Sequence, residues 1–291
     1  MLYKSKFALL HLVTVPAMAA GVPMQIVTAP FGPMAAYGAG SIYVPCYFDA
    51  HAENCLIDTG SDSSNIQEDH FSATYPVIGH TTGSGLSGVP TTCDIIEIAQ
   101  FVVGDCPLGS QKFVRCAANP DSDGSIEQGN VAGLSSFTGK AMQFDFTAKT
   151  FSMNGPLPSD WVARPLTIHP KLGHFGFPVQ IGGAGVDSIV DTGAAITTID
   201  QNLVSAYPDA FQFVEAISGG VDADGHPITS NLYQVKSVSF GGTTLSNLYA
   251  MGTDFSAISQ FIPNVSVIFG FNAIAQRNWY FDLSKRIWAA D

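Results

Sequence analysis

The sequence predicts an all-β protein of two similar lobes, each a β-barrel-like unit with a few short helices. Three observations carry that reading. The chain of 291 residues is 46% hydrophobic and only 12% charged, with 29 Gly and 17 Pro, a usage that suits short strands joined by tight turns. Apolar runs of strand length recur between turn signals, and stretches of helical period are few. Finally, the chain is written twice. Residues 131–153 lie without gaps over residues 268–290, an offset of 137 that sets Gly133 on Gly270 and Phe144-Asp145 on Phe281-Asp282. Further upstream an offset of 133 sets Asp58-Thr59-Gly60 on Asp191-Thr192-Gly193 and Pro45 on Pro178. A loop insertion after each D-T-G absorbs the difference.

Taken in order, residues 1–19 read as a signal peptide: Lys4 and Lys6 precede an apolar run that ends in the small-x-small site Ala17-Met18-Ala19. Its removal would take the net charge from −12 to −14, since two lysines leave with it. Residues 20–40 form an uncharged N-terminal extension, open to trimming or to adding a strand between the lobes. Residues 41–153 make the first lobe. There "IYVPCYF" alternates and turns at "DAHAEN", "CLI" leads into the first D-T-G, and "CDIIEIAQFVV" is a long strand. "FDFTAKTFSM" closes the lobe as a hairpin. Residues 154–165 are the linker, and residues 166–291 repeat the plan with the second D-T-G. Helix is expected only around 135–140 and 201–207.

Five cysteines suit an exported, oxidised protein, and the odd count leaves one unpaired. Cys46 and Cys55 flank a hairpin turn and are expected to bridge. Cys106 with Cys116 is the second expected pair, leaving Cys93 free. The acidic balance and the lack of a basic stripe argue against nucleic acid and anionic membrane surfaces as partners. No later segment reaches the roughly 18 apolar residues of a membrane span, so stable insertion is not expected. Without C-x-x-C or H-E-x-x-H spacing, neither metal nor cofactor is expected.

The chemistry is concentrated in the two D-T-G turns. Each ends an apolar strand with an ionisable residue: Ile57 before Asp58, Val190 before Asp191. One such turn is weak evidence, because Asp and Gly are common in turns. Two copies at equivalent places in a duplicated chain are specific. The sequence resembles the bilobal aspartic endopeptidases of the pepsin-like and retroviral-protease-like superfamily over about residues 42–290. The matching parts are the loops Asp58-Thr59-Gly60-Ser61 and Asp191-Thr192-Gly193-Ala194, with the threading segments Val131-Ala132-Gly133 and Ile268-Phe269-Gly270.

The resemblance implies a catalytic dyad, Asp58 and Asp191, sharing one proton and activating water against a peptide bond, at acidic pH. It implies that Thr59 and Thr192 lock the loops together and that Gly60 and Gly193 present N–H groups to the carboxylates. It further implies that the Ser61 hydroxyl donates to Asp58. Ala194 has no hydroxyl to match, so Asp191 is the expected protonated member. A mobile flap is implied over residues 79–90, with Thr82, Gly83, Ser84 and Gly85 meeting substrate. The family's flap tyrosine has no evident counterpart, Tyr75 being too early and His80 the nearest ring. A peptide or protein is the implied partner, with no cofactor, and a monomer is expected. The rival reading is a weak or inactive peptide-binding protein on the same scaffold. It would want a lost Asp or Gly, and both loops are complete. Serine chemistry would want G-x-S-x-G, which is absent.

Overall fold

The computed structural model describes residues 21–116, 129–222 and 225–291; the expected signal segment lies outside the described residues. Ser41–Phe48 buries Ile42, Val44, Cys46 and Phe48 by simple alternation. It turns back at Asp49, which takes the left-handed φ of 53° that an Asp tolerates. His51–Asp58 then pairs with it from Leu56 opposite Tyr43 to His51 opposite Phe48.

The first sheet has eight strands in the order 25–27, 41–48, 51–58, 131–133, 64–65, 106–115, 90–103 and 79–84; 41–48 also pairs with 90–103, so the sheet curls onto itself. The second has seven: 178–181, 184–190, 265–269, 197–200, 243–253, 227–240 and 211–221, with 178–181 closing onto 227–240. From the second strand of the first list onward the two paths are the same, as the internal offset requires. In each, the strand that ends in a D-T-G runs parallel to a threading strand, placing Asp58 opposite Gly133 and Val190 opposite Phe269.

A third sheet of six strands joins the halves. At its centre Ala141–Asp145 runs antiparallel to Trp279–Asp282, with Phe144 opposite Trp279. Thr150–Met153 and Ile287–Ala290 flank this pair, and the edges are Val22–Pro23 and Arg164–Pro165. The N-terminal extension thus adds the strand left open to it, and the end of the linker adds another. Over this sheet Phe177 stacks on Trp288 at 4.4 Å, within a cluster that includes Phe240, Trp279 and Phe281.

The helical content exceeds expectation. Gln201–Ala206 is present, capped by the Asp200 carboxylate accepting from Asn202 N–H, and a 3₁₀ turn occupies Leu134–Ser136. Ser256–Ser259, Phe271–Ile274 and the 3₁₀ stretch Ala29–Tyr37 were not expected. The first two are single turns, too short for a 3.6-residue period to register, and the third is interrupted by Gly32 and Pro33. The Ala29–Tyr37 stretch crosses onto the second half, where Phe31, Met34 and Tyr37 pack against the cluster containing Ile196 and Leu232.

One cysteine expectation is corrected. Cys46–Cys55 forms across its hairpin, but the second bridge joins Cys93 to Cys116 and Cys106 is unbridged. Cys106–Arg115 is a single extended strand, which at about 3.3 Å per residue carries Cys116 roughly 30 Å from Cys106. The register instead sets Asp94 opposite Arg115, so the flanking cysteines face each other. Non-reducing peptide mapping is expected to recover the 46–55 and 93–116 pairs, with Cys106 open to alkylation. Replacing Cys93 and Cys116 together by Ser should cost about 3 kcal/mol, from the loop entropy of a 23-residue separation.

Candidate active site

The two D-T-G loops meet at the interface of the halves. Each Asp ends its strand, and the next turn folds its N–H groups back onto the carboxyl. Gly60 N–H and Ser61 N–H donate to Asp58 Oδ1 at 2.8 and 3.0 Å. Gly193 N–H and Ala194 N–H donate to Asp191 Oδ1 at 3.0 and 2.9 Å. The glycines also set the approach of the two sides. A Cβ on Gly60 would fall 2.1 Å from the Asp191 carboxyl carbon, and one on Gly193 would fall 2.2 Å from that of Asp58. Any side chain at either position would wedge the carboxyls apart.

Four hydrogen bonds between the threonines and the backbone hold the loops together. Thr59 Oγ1 donates to the Val190 carbonyl at 2.8 Å, and Thr192 Oγ1 donates to the Ile57 carbonyl at 2.6 Å. Thr59 N–H donates to Thr192 Oγ1 at 3.1 Å, and Thr192 N–H to Thr59 Oγ1 at 3.2 Å. Both threonines are fully buried, so each hydroxyl has the partners that burial demands. Behind them, Gly133 passes so close to the Ser63 carbonyl that a Cβ would sit 2.0 Å from its oxygen, and Gly270 packs as tightly on Ile196.

Both carboxyls are shifted upward. Burial pushes Asp58 up to about 8, with the neighbouring Asp191 adding repulsion and the Gly60 N–H opposing. Burial also raises Asp191, but its backbone donors and a hydrogen bond from Asp58 pull it back. Both carboxyls are thus pushed toward the protonated form, and the two titrate as a pair. The expectation from sequence that Asp191 holds the proton rested on a Ser61 hydroxyl donating to Asp58. That hydroxyl donates instead to the Ser63 carbonyl, at 2.8 Å. The two carboxyls consequently receive the same number of loop N–H donors, and Ala194 lacks nothing that Ser61 supplies.

Residues 79–90 do form a hairpin, Gly79–Ser84 with Pro90–Val103, whose tip reaches the second half. Thr82, Gly83 and Ser84 face solvent on the hairpin arm, and Thr82 Oγ1 is bonded to Thr92 Oγ1. Gly85 alone reaches across, backing onto the Asp222 carboxylate. The closing contacts come from the next residues. Leu86 packs against the cluster of Ile189, Phe255, Ile262, Val265 and Ile268, as does Ala194 of the second loop. Ser87 N–H donates to Asp222 Oδ2 at 3.0 Å. Neither ring considered from sequence takes part: Tyr75 bonds Asp49, and His80 pairs with Asp94 at the base of the hairpin. A lone Leu amid Gly and Ser was the available signal. No group of residues able to hold a metal occurs among the described residues.

Known proteins provide independent comparisons. Residues 177–272, which hold the second D-T-G and its threading segment, match the family model described as "Aspartyl protease". A search of curated protein sequences finds no match. Among solved structures, the chain is similar to basic 7S globulin from soybean (9% identity, TM-score 0.53, covering 93% of each chain). It is similar to the aspartic proteinase from Irpex lacteus (16% identity, TM-score 0.53, 93% of this chain and 96% of that one). Conglutin gamma from lupine seeds also resembles it (10% identity, TM-score 0.52, 93% and 94%). At these identities the likeness is one of fold.

Two outcomes are expected from this geometry. Folded Asp58 holds its proton up to about pH 8, whereas an unfolded Asp releases it near 4, so the folded state binds the extra proton between those values. Stability then falls as pH rises across that window, by at most about 1.4 kcal/mol per unit from this group. Asp58→Asn should flatten the slope and raise the neutral-pH melting temperature by about 2–5 °C, as calorimetry at several pH values would show. Asp222→Ala should free the flap tip, seen as faster amide exchange at Ser87 with the 46–55 hairpin unchanged.

Proposed function

Given a chain of the aspartic-protease-like superfamily, we propose that it is an aspartic endopeptidase that hydrolyses peptide bonds in the interlobe cleft, with Asp58 and Asp191 as its catalytic pair. The observation that carries the reading is the juxtaposition of the two half-buried carboxyls across glycines that leave room for nothing larger, both pushed toward the protonated form. A structural role would not require two acids to be buried against each other, since burial and mutual repulsion both disfavour the charged forms.

In the proposed reaction the ionised Asp191 takes a proton from a water between the two carboxyls as its oxygen attacks the scissile carbonyl. Asp58 gives its proton to that carbonyl oxygen, and a tetrahedral diol forms with no covalent bond to the protein. Collapse of the diol breaks the C–N bond, the leaving nitrogen gains the proton held by Asp191, and Asp58 recovers its own. The loop N–H groups hold the carboxylates without changing partners, which suits a preorganised site. An extended peptide would enter between the flap tip and the second loop. Since the pair is complete within one chain, a monomer suffices. Two disulfides fit an oxidising compartment, and we take the protein to be exported.

The peptide-binding alternative draws on the flap tip, which Leu86 seats against the second half where a substrate side chain would compete for space. Digestion of a denatured protein from about pH 3 to about pH 8 separates the two readings. Cleavage is expected, and Asp58→Asn or Asp191→Asn should lower kcat by roughly 10²–10⁴-fold or more without loss of fold. Ser61→Ala should leave both limbs of the pH profile in place, because its hydroxyl serves Ser63. A peptide with a hydroxyl at a tetrahedral carbon in place of the amide should inhibit strongly, and a chelator should not. Binding of that peptide without any cleavage of its amide counterpart would support the alternative.

A further inference from the structure

One imidazole reaches the first catalytic loop from the opposite half. His174 immediately precedes Phe175–Gly176, which pairs with Thr167–Ile168 in a small hairpin. Its Nε2 lies 2.7 Å from the Gly60 carbonyl oxygen. A carbonyl only accepts, so Nε2 carries a proton and donates it. His174 is 5% exposed, and its Nδ1 is buried without a hydrogen-bond partner among the described residues. An unmatched buried nitrogen is unfavourable, and a phenyl ring would fill the space without one. The ring's polar function therefore lies in its Nε2–H.

That use follows from peptide planarity. The Gly60 carbonyl and the Ser61 N–H belong to one trans peptide unit, in which oxygen and hydrogen point in opposite directions. Ser61 N–H is one of the two donors to Asp58 Oδ1, at 3.0 Å. Holding the oxygen at one end aims the hydrogen at the other, and hydrogen bonds in such a chain polarise one another. Gly60 itself gives the second N–H to Asp58 and lays its bare Cα against Asp191, so one gripped peptide touches both carboxyls.

We propose that His174 is a positioning residue of the Asp58–Asp191 pair, holding the Gly60–Ser61 peptide so that its N–H faces the Asp58 carboxylate. Its kinetic consequence rests on the endopeptidase reading; its effect on Asp58 does not. On the ring's own side lies His169, which in turn faces Asp187, and beyond the gripped loop lie Asp58 and Asp191. Burial pushes His169 down, so it stays neutral to lower pH than an ordinary imidazole. Loss of a donor to the charged form raises a carboxyl's pKa. His174→Phe, which keeps the ring volume, should therefore move Asp58 to higher pH, whereas His174→Gln restores a side-chain N–H at a similar reach.

The test is a carboxyl-¹³C NMR titration of the full chain as wild type, His174→Phe and His174→Gln, alongside kcat/KM on one peptide. Asp58 is expected to shift upward by roughly half a pH unit or more in the Phe variant and to return most of the way in the Gln variant. Activity should fall roughly 10-fold, in kcat rather than KM, and recover with Gln. An unmoved Asp58 in a folded Phe variant, or a Gln variant as impaired as Phe, would overturn the proposal. Should the Phe variant not fold, ¹⁵N NMR of wild-type His174 decides: the Nε2–H tautomer supports the assignment and the Nδ1–H tautomer overturns it. A wild type that cuts no peptide while Asp58 still shifts would defeat the endopeptidase reading and leave the positioning role standing.

Discussion

The exchange of hydrogen bonds between Thr59 and Thr192 is the constraint on which the rest of the molecule depends. Two acids do not stay together in a half-buried site by preference; desolvation and mutual repulsion both drive them toward solvent. The threonines resist that tendency by each satisfying a carbonyl and an amide across the interface. Because the hydroxyls lie fully buried, their loss would leave unpaired groups on both sides, and the loops would lose their registry at once. The glycines then determine how close the carboxyls come, and the threading strands hold each loop from behind. The candidate site is thus an equilibrium between an unfavourable pairing and a grip strong enough to sustain it.

Much of this was legible in the chain. The repeated D-T-G, the offset of 137 residues and the alternation along residues 41–48 led directly to two lobes, a closed hairpin and a facing pair of acids. These are local patterns, and a strand's face or a turn's chemistry follows from a few neighbouring residues. Two of the misses were long-range. Cys93 meets Cys116 because of a register between two long strands, which no spacing rule reveals. Leu86 finds its partners 100 to 180 residues away. The Ser61 hydroxyl had two acceptors within reach, and only the turn geometry decides for Ser63 over Asp58. The expected assignment of the proton had rested on that choice.

The halves also diverge in instructive ways. Behind the first threading glycine, Ser64 Oγ meets Gly133 N–H; behind the second, Thr197 Oγ1 meets Gly270 N–H. On the second side Asn272 joins in, accepting from Thr197 N–H and Oγ1 while donating to the Tyr249 carbonyl. On the first side the equivalent work is shared among Ser64, Ser135 and Ser136. The duplicated plan keeps its backbone contacts, while the side chains that complete them have drifted apart.

The central sheet gives that drift a direction. With residues 141–145 and 279–282 running antiparallel at its middle, the halves are related by an approximate two-fold axis, and a protein of two identical chains could have the same frame. Identical chains would have to meet both ends of a substrate with the same surface. Here one covalent chain lets the flap tip belong to one side only and the Ala29–Tyr37 stretch lean on the other. The proposed substrate, a peptide, has an amino end and a carboxyl end, so a groove whose two sides differ would hold it in a single orientation. Covalent fusion thereby turns a frame with no preferred sense into one that distinguishes head from tail.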